Sequence, residues 1–211
     1  MSNVFFIGDM HIGHANAIRF DLRPFETVEE MDAELIRRWR AKVRPEDTVY
    51  VLGDMIWKSR GNDAHKILQE LPGKIILIEG NHDYSFLNNS KAVACFHEIK
   101  ERDDICVTLK NGTKRRCILD HYFIPMYNGH RYQTIHLHAH SHVSEEARHE
   151  LDFAKELNEK GLRNEIYNVG CMYWDYEPVT LDEILAGGIE RMEYVLTQAE
   201  KARELSKRKG D

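Results

Sequence analysis

No run of about 18 uncharged apolar residues occurs in the 211-residue chain, so no membrane-spanning helix is expected. The start MSNVFFIGDM has no basic segment leading into a long apolar one, which predicts no secretory signal and makes the cytoplasm the expected compartment. Cysteine is scarce. Cys95, Cys106, Cys117 and Cys171 are far apart and form no C-x-x-C pair, which argues against a thiolate zinc site or a dithiol redox motif and predicts reduced, structural thiols. Positive charge is also in deficit: 29 Lys and Arg stand against 35 Asp and Glu, a formal net charge of -6. Without a basic stripe, long nucleic acid is not an expected partner, because that affinity comes from clustered cations on phosphates. Internal repeats and low-complexity linkers are absent too.

What remains is an ordinary globular composition, 42% apolar and 30% charged, expected to fold as one domain over residues 1–211. NVFFIG (3–8), TVYVLGD (48–54) and KIILIEGNHD (74–83) read as buried strands, each ending in glycine and a polar residue. Between the first two, Thr27 to Glu30 has capping-box form. Val28, Met31, Leu35, Trp39 and Val43 then recur at helical spacing until Pro45. A shorter helix through Ile67 and Leu68 ends at Leu71-Pro72-Gly73. This β-α-β-α-β order predicts parallel strands, whose C-terminal ends are where sites assemble in α/β sheets. Further on, ICVTLKNGTKRRCIL predicts a hairpin with a two-residue turn at Asn111-Gly112. The second half then reads as a sheet of hairpin-connected strands lying face to face with the first. Helices are expected from Glu145 and from Thr180, and residues 199–211 read as a frayed, charged helix or solvated tail.

Histidine is the unusual abundance. Twelve are present, crowded near a few acids at predicted strand ends: Asp9 and His11, Asp54, Asn81 and His82, His121, then His140 and His142. Carboxylate, imidazole and amide oxygen suit borderline or hard divalent ions. One cation could not use them all, whereas two ions about 3.5–4 Å apart could share one carboxylate and leave positions for water and a phosphoryl oxygen. Gly8, Gly53 and Gly80 are expected to permit tight backbone where a side chain would block the bend or the ligand. His136, His138, His140 and His142 alternate at period two, a crowding of imidazoles that is unfavourable without a cation.

In order, GDMHIGH, LGDM, EGNHD, LDHY and LHAHSH resemble the calcineurin-like metallophosphoesterases over most of the chain. FIGDMHIGHANAIRF, the RPF at 23–25 and NVGCMYWDYEPVTLDEI resemble the small, uncapped bacterial and phage members. The resemblance implies an α/β fold, a four-layer αββα sandwich with two mixed β-sheets. It also implies two divalent metal ions, manganese first, with iron, zinc, cobalt, nickel or magnesium as alternatives. Carried over by position, Asp9, His11, Asp54 and His142 would hold one ion. Asp54, Asn81, His121 and His140 would hold the other, with Asp54 bridging. His82 matches the catalytic histidine, and Asp83 is expected to orient its imidazole. Asn81, His14 and Arg23 are expected at the substrate, with His14 alternatively bracing its loop; Arg19, Arg131 and Tyr127 are further candidates. Two departures stand out: Ala139 replaces a frequent glycine, leaving His138 and His140 as an alternative ligand pair, and Asp120 precedes His121 where glycine is common.

The implied activity is hydrolysis of small phosphodiesters or nucleotides by direct in-line attack of a hydroxide shared between the ions. A nuclease acting on nucleic acid and a non-catalytic scaffold on the same fold are the competing expectations. A small phosphoester is the expected partner, with no membrane involvement. Tyr173, Trp174 and Tyr176 read as packing rather than as a stacking platform.

Overall fold

The computed structural model describes residues 2–210. The run NVFFIG forms β1 (Val4–Ile7), followed by a short helix α1 (Ala15–Phe20) and the longer α2 (Val28–Lys42). Thr27 caps α2 through its side-chain oxygen, which accepts from the Glu30 N–H at 3.2 Å. Glu30 reaches back one residue further than a capping box requires and accepts from the Glu26 N–H at 2.8 Å. Met31, Leu35 and Trp39 carry the buried face of α2. Next come β2 (Thr48–Leu52), α3 (Ala64–Gln69), β3 (Lys74–Ile78), α4 (Tyr84–Leu87), α5 (Ser90–Val93) and β4 (Glu98–Lys100). The second half contains β5 (Arg102–Thr108), β6 (Lys114–Asp120), β7 (Ile135–His138), α6 (Glu145–Glu159), β8 (Glu165–Asn168) and β9 (Val179–Thr180). Last is α7 (Leu181–Gly210), kinked at Gly188, whose φ of 58° breaks the helix.

Two mixed sheets form, with helices flanking them in the expected αββα sandwich. The first has the order β4-β3-β2-β1-β9, parallel throughout except at β9. The second has the order β5-β6-β7-β8. Here the expectation of hairpin-connected strands needs correction: only β5 and β6 pair antiparallel, while β6, β7 and β8 run parallel. Parallel neighbours need a crossover: residues 121–134 carry the chain back between β6 and β7, and α6 does so between β7 and β8. The β5–β6 turn also differs from the two-residue form. Leu109 N–H donates to the Thr113 carbonyl at 2.8 Å, closing a three-residue loop with Gly112 left-handed at φ 84°.

One apolar core runs between the sheets and under the helices, including Phe6, Leu52, Leu77, Leu119 and Leu137. Tyr173, Trp174 and Tyr176 are buried in it, as expected. The sheets meet at a parallel bridge between Gly8 and Gly170, which brings the C-terminal end of β1 to the end of β8. All four cysteines are free thiols, and none of the helices among the described residues is long and apolar enough to cross a membrane. The charged segment from Ala199 is helical, with residues 204–208 exposed. It continues α7, buries Ala199, and donates from Arg203 Nη2 to the Phe20 carbonyl at 2.8 Å.

Candidate metal centre

Every polar strand end singled out in the sequence arrives at the same place. Asp9 and His11 follow β1, Asp54 follows β2, Asn81 and His82 follow β3, His121 follows β6, and His140 and His142 follow β7. The loops are strained where they turn. Among the described residues nine non-glycine positions have left-handed backbone, and five of them are Asp9, His11, Asp54, His140 and His142. Each such residue costs on the order of 1–3 kcal/mol, so their concentration here marks geometry held for a purpose other than stability. Two of the preceding glycines are needed for different reasons. Gly53 is itself left-handed (φ 82°), and a Cβ there would sit 2.3 Å from His121 Nδ1. Gly80 lies so close to Asp54 that a Cβ would come within 2.4 Å of Oδ1.

Asp9, His11, Asp54 and His142 place one donor atom each within 4.8 Å of one another. His11 Nε2 lies 3.1 Å from His142 Nε2 and 3.6 Å from Asp54 Oδ2. Asp9 Oδ1 accepts from the His140 N–H at 3.2 Å, while Oδ2 is buried with no hydrogen-bond partner. On the other side of Asp54, Asn81 Oδ1 lies 3.0 Å from both His121 Nε2 and His140 Nδ1. His121 Nε2 is 3.8 Å from the same Asp54 Oδ2 that faces His11. The seven residues thus form two groups that share one carboxylate oxygen.

The proton inventory favours cations. With His121 Nδ1–H donated to the Leu52 carbonyl at 2.8 Å, its Nε2 presents a lone pair to the amide oxygen of Asn81. With His142 Nδ1–H donated to Asp21 Oδ2 at 3.0 Å, its Nε2 likewise presents a lone pair toward His11. An acceptor facing an acceptor inside a protein, as His121 Nε2 faces the Asn81 oxygen, is repulsive unless a positive centre lies between them. Anchoring the outer imidazole nitrogen on a carbonyl or carboxylate is also how protein ligands to metals are oriented. Asp9, His11, Asp54 and His142 therefore fit a divalent ion of the kind that nitrogen and oxygen donors select.

Buried charge is arranged around this cluster. Burial pushes the Asp9 carboxyl up. Burial, with His142 adding to it, holds His11 well below the usual imidazole range. Burial also works against a charged His142, but Asp9 and Asp21 outweigh it and raise that imidazole. Burial opposes ionisation of Asp21 as well, yet His142 and Arg23 bring it below the usual carboxylate range. Asp21 is a functional position that the sequence reading missed; its only signal is its place two residues before Arg23.

Several expected roles change in the structure. Arg23 is not presented to a substrate: its guanidinium is buried and donates to the carbonyls of Asp9 and Met10, each at 2.8 Å, and to Asp21. It clamps the first ligand loop. Asp83 does not orient His82. Its carboxylate turns inward and accepts from the N–H groups of Asp54 (2.9 Å), Met55 (2.9 Å) and Gly80 (2.8 Å), tying two ligand loops together. Tyr127 is buried, with its hydroxyl donating to backbone carbonyls; Arg19 and Arg131 are exposed. Asp120 pairs with Arg102 at 2.9 Å and accepts from the Tyr122 N–H. The alternative pair with His138 is disfavoured: His138 lies behind the cluster, buried, with Nδ1 3.1 Å from the Ala139 carbonyl. His140 and His142 are the members of the alternating run that reach the cluster, because β7 ends at His138 and the left-handed loop breaks the period. Cys171 is close but donates its S–H to the Asp9 carbonyl, with burial pushing the thiol up to about 12.

His82 and His14 stand on the open side of an open cleft of about 360 Å³ above the ligands. The His82 backbone N–H donates to Asp54 Oδ1 at 2.8 Å, and its ring packs against Trp57 with centroids 4.6 Å apart. His14 stacks flat on the same indole at 3.7 Å and 5°. Trp57 is thus a second position that sequence reasoning passed over, since a lone aromatic three residues after Asp54 carries no motif.

A profile of the calcineurin-like phosphoesterases matches residues 2–185, and the chain belongs to that family. The family comprises phosphoester hydrolases that typically bind two divalent metals. An uncharacterised protein of Methanocaldococcus jannaschii is 34% identical over 200 residues, covering 88% of this chain and 90% of that protein. The gene 66 protein of Mycobacterium phage L5 is 40% identical over 86 residues, 39% of this chain and 41% of the phage protein. A protein of unknown function from Aquifex aeolicus, known from its crystal structure, superposes with a TM-score of 0.62 at 24% identity. That match covers 87% of this chain and 98% of that one, and is a likeness of fold.

Proposed function

We propose that the protein is a two-metal phosphoesterase that hydrolyses small phosphodiesters or nucleotides directly. The observation that carries this reading is the pair of donor groups sharing Asp54 Oδ2, one of which includes Asp9, whose Oδ2 is buried and unpartnered. Asp9, His11, Asp54 and His142 would hold one ion, and Asp54, Asn81, His121 and His140 the other. When bound, two such ions supply Lewis acidity toward phosphoryl oxygens and make solvent acidic enough to attack phosphorus near neutral pH.

The protein's own groups do the rest. His82 lies beside the ligands with its ring on Trp57, where it can donate to a phosphoryl oxygen or protonate the departing alkoxide. Its anchor to Asp54 Oδ1 fixes it relative to the shared carboxylate. His14, held flat against Trp57 and pushed down to about 4 by burial, with Arg23 adding to it, is neutral at pH 7 and suited to contact substrate without adding charge. Manganese is the first candidate ion.

Elemental analysis of protein reconstituted with manganese, followed by assay on bis(4-nitrophenyl) phosphate and 4-nitrophenyl phosphate, tests the reading. About two ions per chain and metal-dependent release of nitrophenol are expected. Metal-replete protein inert toward both esters would instead favour a scaffold.

A further inference from the structure

A second cleft, of about 690 Å³, opens beside the ligand cluster and shares His140 and Glu146 with it. Its walls include the rings of Tyr122, Phe123 and Phe153. Tyr122 leans over His140 with centroids 4.6 Å apart yet leaves 46% of its surface exposed. Phe153 is 38% exposed and meets Phe123 edge-on at 6.4 Å. Phe123 also packs against the small apolar cluster of Ile118, Tyr127 and Ile166, but the fold does not require a ring at Phe153, because a polar residue there would serve the outer edge of α6 equally well. Exposed aromatic surface continuous with a polar centre is the usual composition of a ligand site.

Charge narrows the ligand further. Neither cleft is lined by lysine or arginine among the described residues; Glu145 and Glu146 border the aromatic one, beside His149 and beside Glu150, whose carboxyl burial pushes up to about 7. A group extending from the ligand cluster into this cleft meets flat apolar faces and negative charge. A second phosphate placed there would face the Glu145 and Glu146 carboxylates with no lysine or arginine in the lining to pair it.

We propose that this cleft is the subsite for the ester's organic group, and that it takes an aromatic group without negative charge, such as an aryl alcohol or a nucleoside carrying a single phosphate. It disfavours polyphosphates and nucleic acid chains. The proposal rests on the phosphoesterase reading above.

Two non-hydrolysable probes separate the subsite from that reading. Methylphosphonate and benzylphosphonate carry the same anionic head, and in benzylphosphonate a methylene replaces the ester oxygen of phenyl phosphate. Calorimetry on the full-length, manganese-loaded protein should show benzylphosphonate binding about tenfold tighter, as expected for one ring leaving water. Phe153→Ala should shrink that ratio toward unity. Glu146→Lys should instead strengthen binding of methylenediphosphonate about fivefold by placing a cation beside its second head. Equal affinities for the two monophosphonates, or a preference untouched by Phe153→Ala, would overturn the subsite while leaving the phosphoesterase reading intact. If the metal-loaded protein binds neither probe and cleaves neither nitrophenyl ester, both readings are overturned together.

Discussion

At the scale of single residues, Asp54 has the most demanding position. One oxygen accepts from the His82 N–H, and the other faces His11 and His121. Asp54→Asn removes the shared negative charge, and metal content measured by elemental analysis should fall from about two ions per chain to one or fewer. His82 has a different place, on the cleft side of the cluster. His82→Ala is expected to slow ester hydrolysis about 10²–10⁴-fold with metal content intact; a metal-depleted variant would show that the residue is a ligand instead. Asp83 belongs to stability. Asp83→Asn weakens a carboxylate that satisfies three buried N–H groups and should cost about 1–3 kcal/mol in a denaturant titration. A variant equally stable but slow would restore the orienting role that the sequence suggests.

Elements act by delivering these residues at the right angle. β1, β2 and β3 are parallel and in register, so their C-terminal ends present Asp9, Asp54 and Asn81 along one edge. The turns after them are only possible with glycine at the close approaches. Gly53→Ala should destabilise by about 1–2 kcal/mol from its left-handed backbone alone. The added methyl would also displace the His121 ring, so the variant should lose part of its metal as well as its thermal stability. Thr27→Ala at the start of α2 is the matched control. It should cost about 1 kcal/mol through the lost cap while leaving metal content unchanged.

For the whole molecule, the proposed ligands come from both sheets, so bound ions would fasten one half of the sandwich to the other. Ligands that bind only the folded state stabilise it by an amount that grows with the logarithm of their excess over the dissociation constant. At about a hundredfold excess this is about 2.7 kcal/mol, and for a domain of this size it raises the melting midpoint by roughly 5–11 °C. A thermal melt before and after dialysis against a chelator reads the difference, and identical midpoints would mean that no ion bridges the sheets. The same unions explain the buried pairing of Asp21 with Arg23, since the carboxylate serves His142 of one sheet and the guanidinium clamps the loop after β1 of the other.

Local pattern alone determined a good deal: the three parallel strands, the helix opening at Thr27, the order of the polar strand ends, and the residue types that converge. These depend on near-neighbour chemistry, on period and on the glycines that precede each turn, all of which are written along the chain. Only the tertiary structure decided what Arg23, Asp83 and His138 do, because a charged or imidazole side chain faces ligand or backbone according to which distant loop lies beside it. The parallel run of β6, β7 and β8 and the Trp57 platform under His82 and His14 were likewise settled by packing between segments far apart in sequence. A residue's type fixes its possible bonds, but the long-range fold selects which of them is made.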